Sequence, residues 1–142
     1  MTDNDTHLTA TEADHQIKHY KSEIIGILDT HMTLKVTTDV LPTACNDLGP
    51  VTPDEPTEYA YYYEVNGEPH DPRFLPAAKK IVNHFTAQGW NTYGHTDKPS
   101  PGWDMRSPEK YLLSLTISPD GDLLGIELDT PCVPKVDKTF TP

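Results

Sequence analysis

The segment Glu58–Val65 (EYAYYYEV) constrains the fold of this chain more than any other stretch of its sequence. Aromatic and β-branched residues favour strands, and their alternation places four large side chains on one face: Tyr59, Tyr61, Tyr63 and Val65. Because one face of such a strand has to cover an apolar core, these side chains need no functional explanation. Tyr62 lies on the opposite face, where it is either a candidate for recognising a partner or a packing residue at the edge.

Two helices are predicted from apolar residues that recur every three or four positions. The first is capped by Thr11 and extends to about Thr30, with acidic residues in its first turn. The second opens at Asp71-Pro72, or at Pro76 if its regular part begins later. Gly89 suits the position just after this helix, where a left-handed backbone is common.

Four further strands are predicted from apolar runs and alternating patterns. Met32–Val36 and Trp90–Thr96 are predicted to be strands with one face in water. Tyr111–Ile117 and Leu123–Leu128 flank the turn-forming sequence Ser118–Asp122, which predicts a hairpin. The resulting order is α-β-β-α-β-β-β, an α+β fold in which two helices pack on an antiparallel sheet of about five strands.

The chain has 142 residues, a length that suits one domain with a real core. We expect a disordered N-terminal segment over residues 1–10, a single α+β domain over 11–134 and a flexible C-terminal tail over 135–142. Segments 39–57 and 98–108 are rich in proline and glycine and are predicted to be loops.

Two cysteines, Cys45 and Cys132, lie far apart and beside prolines, and neither belongs to a C-x-x-C pair. The spacing excludes a zinc ribbon or a thioredoxin-like site and fits one structural disulfide, although two buried free thiols are the alternative. A disulfide persists only in an oxidising compartment. Residues 1–16 are polar and carry no export signal, so either the protein is cytosolic or its signal has been removed.

The charge distribution bears on the kind of partner. The formal net charge is −11, which argues against sequence-independent binding to nucleic acid or anionic lipid, and no apolar run reaches the length of a transmembrane helix. Residues 1–58 hold 11 acidic and 3 basic residues, which form either a solvated face or a docking surface for a cationic partner. Four of the acids directly precede or begin the tyrosine-rich strand: Asp47, Asp54, Glu55 and Glu58.

No catalytic or metal-binding pattern is present in the sequence. There is no G-x-S-x-G motif and no glycine-rich phosphate loop. His15 and His19 have the spacing at which two imidazoles can share an ion, but they lie opposite the apolar face of the helix and belong to no H-E-x-x-H motif. Asp120 and Asp122 lack the remaining ligands of an EF-hand loop. We therefore predict no enzymatic activity, no cofactor and no metal required for folding.

Several features together resemble a known family. They are a strand followed by Cys45, an aromatic strand, a helix ending at Gly89-Trp90, and a hairpin that closes on Thr130-Pro131-Cys132. Over residues 11–134 this arrangement is similar to the ectodomains of small actinobacterial lipoproteins of unknown function. The resemblance implies an exported domain with a Cys45–Cys132 bridge, tethered by a lipidated N-terminal cysteine. This sequence contains no such lipobox cysteine, and the family provides no catalytic residues to transfer.

These observations favour a non-enzymatic, extracytoplasmic interaction domain of lipoprotein type that binds a protein, with a basic protein as one option, and no nucleic acid. The alternative is an acidic immunity-type inhibitor, at the cell surface or in the cytoplasm, that neutralises a basic toxin or nuclease. A small hydrolase without a recognisable motif is the third hypothesis. The candidate binding residues are Asp47, Asp54, Glu55, Glu58, Tyr62 and Trp103.

Overall fold

The computed structural model describes four stretches of the chain: residues 8–28, 31–45, 57–97 and 99–133. They contain two α-helices, α1 (Ala10–Ile27) and α2 (Phe74–Ala87). They also contain six strands: β1 (Lys35–Ala44), β2 (Thr57–Asn66), β3 (Asn91–Thr96), β4 (Gly102–Arg106), β5 (Leu112–Ile117) and β6 (Leu123–Asp129). All the strand pairs are antiparallel, and the strands form one sheet in the order β1-β2-β6-β5-β4-β3. The predicted α+β class is confirmed.

Over the described ranges, the sheet has one more strand than the sequence predicts. The extra strand is β4, which lies inside the segment 98–108, where the sequence predicts a loop. It pairs with both β3 and β5, and its alternation buries Trp103 and Met105 while Asp104 and Arg106 remain exposed. The prolines on either side of this short strand mask its period-two pattern in the sequence.

Strand β1 also differs from its prediction. It begins at Lys35 and runs into the expected loop as far as Ala44, although it contains Pro42. Within the described sheet β1 is an edge strand, and the missing N–H of a proline is tolerated at an edge. Its pairing with β2 shifts register twice, between Val36 and Thr38 and between Thr38 and Leu41.

Helix α1 begins earlier than predicted. Thr9, rather than Thr11, is its N-cap: the Thr9 side chain accepts a hydrogen bond from the Glu12 N–H, and the Glu12 carboxylate accepts one from the Thr9 N–H. This reciprocal pair is the capping box. The sequence predicts an apolar face of Ile17, Tyr20, Ile24, Ile27 and Leu28 for α1. All of these except the partly buried Ile27 are buried, and Ala10 and Ala13 extend the buried face toward the N-terminus.

Helix α2 begins at Phe74, between the two predicted starts. Asp71 still organises the entry, because its carboxylate accepts hydrogen bonds from the Arg73 N–H at 3.0 Å and from the Arg73 guanidinium at 2.7 Å and 2.9 Å. Gly89 follows the helix with a φ of +94°, as predicted. The Trp90 N–H then donates to the Phe85 carbonyl at 3.0 Å.

Both helices pack on the same face of the sheet. The Tyr20 ring of α1 lies edge-on against Phe85, Trp90 and Tyr111, with centroid distances of 5.9, 5.1 and 5.4 Å. The Tyr61 hydroxyl of β2 donates to Asp14 on α1 at 2.7 Å. These contacts confirm that the odd-numbered tyrosines of β2 face the core. Neither of the described helices is long and apolar enough to cross a membrane.

Candidate functional site

The sheet has a second face, which none of the described helices covers. We call it the open face, and the pairing of the strands places its side chains in rows. One row contains Tyr62 of β2, Glu127 of β6, Ser114 of β5 and Asp104 of β4. The next row toward the C-terminal end of β6 contains Ala60, Asp129, Leu112 and Arg106. The strand period of two therefore separates these residues from the core.

A groove of about 260 Å³ lies beside Tyr62 on the open face. Its lining includes Glu64, Ser114, Thr116 and Glu127. Gly125, between Glu64 and Thr116 in the neighbouring row, leaves the groove unfilled because it has no side chain. A Cβ atom at this position would meet the Thr116 carbonyl oxygen at 3.6 Å, an ordinary contact distance. The groove can therefore hold a side chain without displacing the backbone.

Carboxylates crowd one end of the open face. Glu127 and Asp129 are two residues apart on β6, and Glu58 projects from β2 nearby. Burial, followed by a hydrogen bond with Glu127 and the charges of Glu127 and Glu58, raises the pKa of Asp129 to about 8. Its Oδ1 atom is buried and has no hydrogen-bond partner in the described part of the chain. Burial and the charges of the two β6 carboxylates also raise the pKa of Tyr62.

A second aromatic ring stands at the far edge of the open face. Tyr93 of β3 is 52% exposed, and the Arg106 guanidinium lies 5.2 Å from its ring centroid. Between Tyr93 and the groove, the Ser114 hydroxyl donates to Asp104 at 2.7 Å. Sequence reasoning missed Tyr93, although its place in a strand with one wet face was a usable indication. The open face thus carries two tyrosines at separate positions.

The structure brings together only some of the predicted site residues. Tyr62 and Glu58 both lie on the open face of β2. Trp103 lies on the helix-covered face of β4, where it is buried and its ring stacks on His95 at 5.0 Å. The remaining candidates lie outside the described residues: Asp47, Asp54 and Glu55.

The predicted disulfide between Cys45 and Cys132 is present, with a Cα–Cα distance of 6.1 Å. It joins the end of β1 to the segment after β6, and a carboxylate oxygen of Glu58 lies within 4.8 Å of both sulfur atoms. Such a trio resembles a metal-ligand set, but the S–S bond removes both thiolates as ligands. The disulfide is therefore a covalent cross-link at one end of the open face.

Comparisons with known proteins identify a fold. No family model matches the sequence, and no curated protein matches it. The structure is similar to the crystal structure of a DUF4853 family protein from Actinomyces odontolyticus, with a TM-score of 0.62. The alignment covers 94% of this chain and 76% of that chain at 11% sequence identity. The similarity supports the predicted link to actinobacterial proteins of unknown function at the level of fold, while the lipoprotein part stays a prediction.

Proposed function

We propose that this protein is a non-enzymatic, extracytoplasmic binding domain that recognises a basic protein segment on its open face. One observation carries the proposal: an unfilled groove over Gly125 lies beside the half-buried Tyr62 and the carboxylate Glu127, on a face without a covering helix among the described residues. The Cys45–Cys132 disulfide supports an extracytoplasmic location, because such bonds persist where the environment is oxidising.

The chemistry of the face selects the partner. Its described outward residues include four acids besides the protonated Asp129, against two bases, Lys35 and Arg106. The four acids are Glu58, Glu64, Asp104 and Glu127. Carboxylates steer a cationic partner toward the surface, and a tyrosine ring supplies apolar contact area at low entropic cost. A lysine or arginine fits both features, since its aliphatic stem can lie in the groove while its charge meets a carboxylate. A basic segment with such residues is the expected occupant.

The immunity-type inhibitor remains a second candidate because the net charge of −11 complements a basic toxin or nuclease. Both hypotheses use the same surface. They differ in whether the bound partner loses an activity, which an inhibition assay with the captured partner decides.

The test uses an array of short synthetic peptides that differ only in their numbers of lysine and arginine residues. Gly125→Val fills the groove with a residue that favours strands, and Tyr62→Ala removes the ring. Each should weaken binding of the best basic peptide roughly tenfold, equivalent to about 1.4 kcal/mol. Lys79→Ala, an exposed change on α2, is the control and should bind like the parent.

Two further measurements complete the test. Binding should weaken as salt concentration rises, because the attraction is electrostatic. Tyr62→Ala should act mainly on dissociation, whereas charge reversal of Glu58 should slow association. Charge reversal of Asp54 or Glu55 should slow association in the same way. Equal binding of basic and neutral peptides, or parental affinity in folded Gly125→Val and Tyr62→Ala, would contradict the proposal.

A further inference from the structure

Three side chains with metal-binding atoms meet at the end of the open face where the disulfide lies. The Sγ atoms of Cys45 and Cys132 and one carboxylate oxygen of Glu58 all lie within 4.8 Å of one another. Each of the three residues is partly buried. In the ranges that the structure describes, no other three histidine, cysteine or acidic side chains come as close together.

The backbone on one side holds two of these residues in place without help from the disulfide. Glu58 is the second residue of β2, and Cys45 directly follows the last residue of β1. The pairing of the two strands places Thr43 opposite Glu58 and Ala44 opposite Thr57. Strand pairing therefore keeps Cys45 beside the start of β2.

The segment that carries Cys132 is held on the other side of β2 by its own hydrogen bonds. The Thr130 N–H donates to the Tyr59 carbonyl at 2.9 Å, and the Val133 N–H donates to the Thr57 carbonyl at 2.8 Å. Cys132 lies between these two anchored residues. Both cysteines thus stay next to β2 when the bond between their sulfur atoms is broken.

Reduction turns the disulfide into two potential metal ligands. Dithiothreitol, a dithiol, supplies two electrons and two protons, becomes a cyclic disulfide itself, and leaves two thiols on the protein. The chain is synthesised with both cysteines as thiols, so the reduced form precedes the disulfide wherever the protein finally resides. Each thiol can then lose its proton to solvent when a metal ion binds its sulfur.

The spacing of the three residues suits zinc. Tetrahedral zinc has Zn–S bonds of about 2.3 Å and Zn–O bonds of about 2.0–2.2 Å, so its ligand atoms lie roughly 3.5–3.8 Å apart. The Cα atoms of the two cysteines are 6.1 Å apart, so side-chain rotation alone brings the free sulfur atoms to this separation. We propose that the reduced protein binds one zinc ion through Cys45, Cys132 and Glu58, with water as the fourth ligand.

The charges around the site favour a cation. Glu58 lies close enough to Asp129 for the charges of the two carboxyl groups to repel each other. A divalent cation offsets this repulsion, and two thiolates with one carboxylate form a ligand set that zinc accepts. Bound zinc would join the end of β1 to the segment after β6, as the disulfide does. Oxidation would restore the S–S bond and release the ion, so the two cross-links exclude each other.

The test is isothermal titration with zinc chloride under anaerobic conditions. The protein is reduced with dithiothreitol, which gel filtration then removes. We expect one zinc ion per reduced chain. The oxidised parent is the matched control, because it keeps every histidine and carboxylate, and it should bind at least a hundredfold more weakly. Loss of a mere supporting contact to a metal ligand weakens binding roughly tenfold to a hundredfold, so Glu58→Gln, which removes a ligand, should weaken it at least tenfold. Glu64→Gln, on the same face of β2 but near its other end, should bind like the reduced parent.

Cobalt substitution shows whether the sulfur atoms are ligands. Thiolate-bound cobalt absorbs in the near ultraviolet, and this absorption should appear in the reduced parent but not in Cys132→Ser or in the oxidised parent. Zinc should also raise the melting temperature of the reduced protein and leave that of the oxidised protein unchanged.

Three results would overturn the proposal. The first is equal zinc binding by the reduced and oxidised proteins, which would place the ion on exposed histidines. The second is parental affinity in folded, reduced Glu58→Gln. The third is a reduced protein whose circular dichroism shows it to be unfolded both with and without zinc, since the site needs β1, β2 and the segment after β6 in place.

Discussion

Replacing Asp129 by asparagine tests the electrostatics of the open face. The Asp129 carboxyl group lies between Ala60 of β2 and Leu112 of β5, and its charge is opposed by Glu127 and Glu58. Asparagine has nearly the same shape but no charge at any pH. The substitution therefore removes the cost of ionisation and leaves the packing of β6 unchanged.

The sign of the effect follows from the pKa of Asp129, which folding raises from 3.8 to about 8. Between these two pKa values the folded protein holds a proton that the unfolded chain has released. The free energy of unfolding therefore falls as the pH rises from the lower value to the higher one. Partial contact with water screens the charge. We therefore expect a loss of about 1–2 kcal/mol between about pH 5 and about pH 8.5, well below the unscreened limit.

The assay is urea denaturation of the parent and of Asp129→Asn across this pH range. The difference between their unfolding free energies isolates Asp129, because the histidines are common to both proteins. The Asp129→Asn variant should be more stable than the parent near pH 8.5 by about 1–2 kcal/mol, and the difference should shrink toward pH 5. Asp104→Asn is the control on the same face, since its oxygen can still accept the Ser114 hydrogen bond. Parallel curves for the parent and Asp129→Asn would refute the reasoning.

Two further predictions concern the stability of the fold, one for the disulfide and one for the close backbone approach at Gly121. The double variant Cys45→Ser/Cys132→Ser should lose about 2–4 kcal/mol of unfolding free energy, measured by urea denaturation. The parent protein under reductant should show the same loss. An unchanged unfolding free energy would contradict a structural role for the disulfide. Gly121→Ala should lower stability by about 1–3 kcal/mol, because Gly121 has a φ of +69° and a Cβ atom there would lie 2.8 Å from the His70 Cα. Its control, Gly26→Ala in α1, meets nothing within 4 Å and should raise the melting temperature; equal melting temperatures for the two variants would show that the close approach at Gly121 costs nothing.

Local sequence patterns were enough to predict the elements whose residues alternate or recur without interruption. The tyrosine run became β2 with its odd-numbered rings in the core, and the sequence around Ser118–Asp122 became the turn between β5 and β6. Most of the apolar residues predicted for the buried faces of the helices are buried, with Ile27 of α1 and Val82 of α2 only partly so, and the glycine after α2 was predicted correctly. These features depend on neighbours within a few residues, and such interactions are visible in the sequence.

Element limits were less predictable because they depend on partners that are distant in the sequence. Strand β4 exists because β3 and β5 lie on either side of it, and β1 reaches Ala44 because β2 offers a partner as far as Thr57. The start of α1 is an exception, because the Thr9-x-x-Glu12 capping box is a local pattern that the prediction of Thr11 as N-cap overlooked. Pairing energy can thus outweigh the weak strand preference of proline and glycine.

The sequence by itself determined which residues of β2 could face a partner, because the strand period leaves only one orientation for Tyr62 once the core face is filled. Only the tertiary structure decided what surrounds that tyrosine. The pairing of β2 with β6 placed Glu127 beside Tyr62, and the pairing of β6 with β5 placed Gly125 beside Thr116. Packing of α1 on α2 likewise brought His84 to Glu23, 61 positions away in the chain. The partners in these contacts are remote in sequence, and their distances are set by strand register and helix packing, which no local pattern encodes.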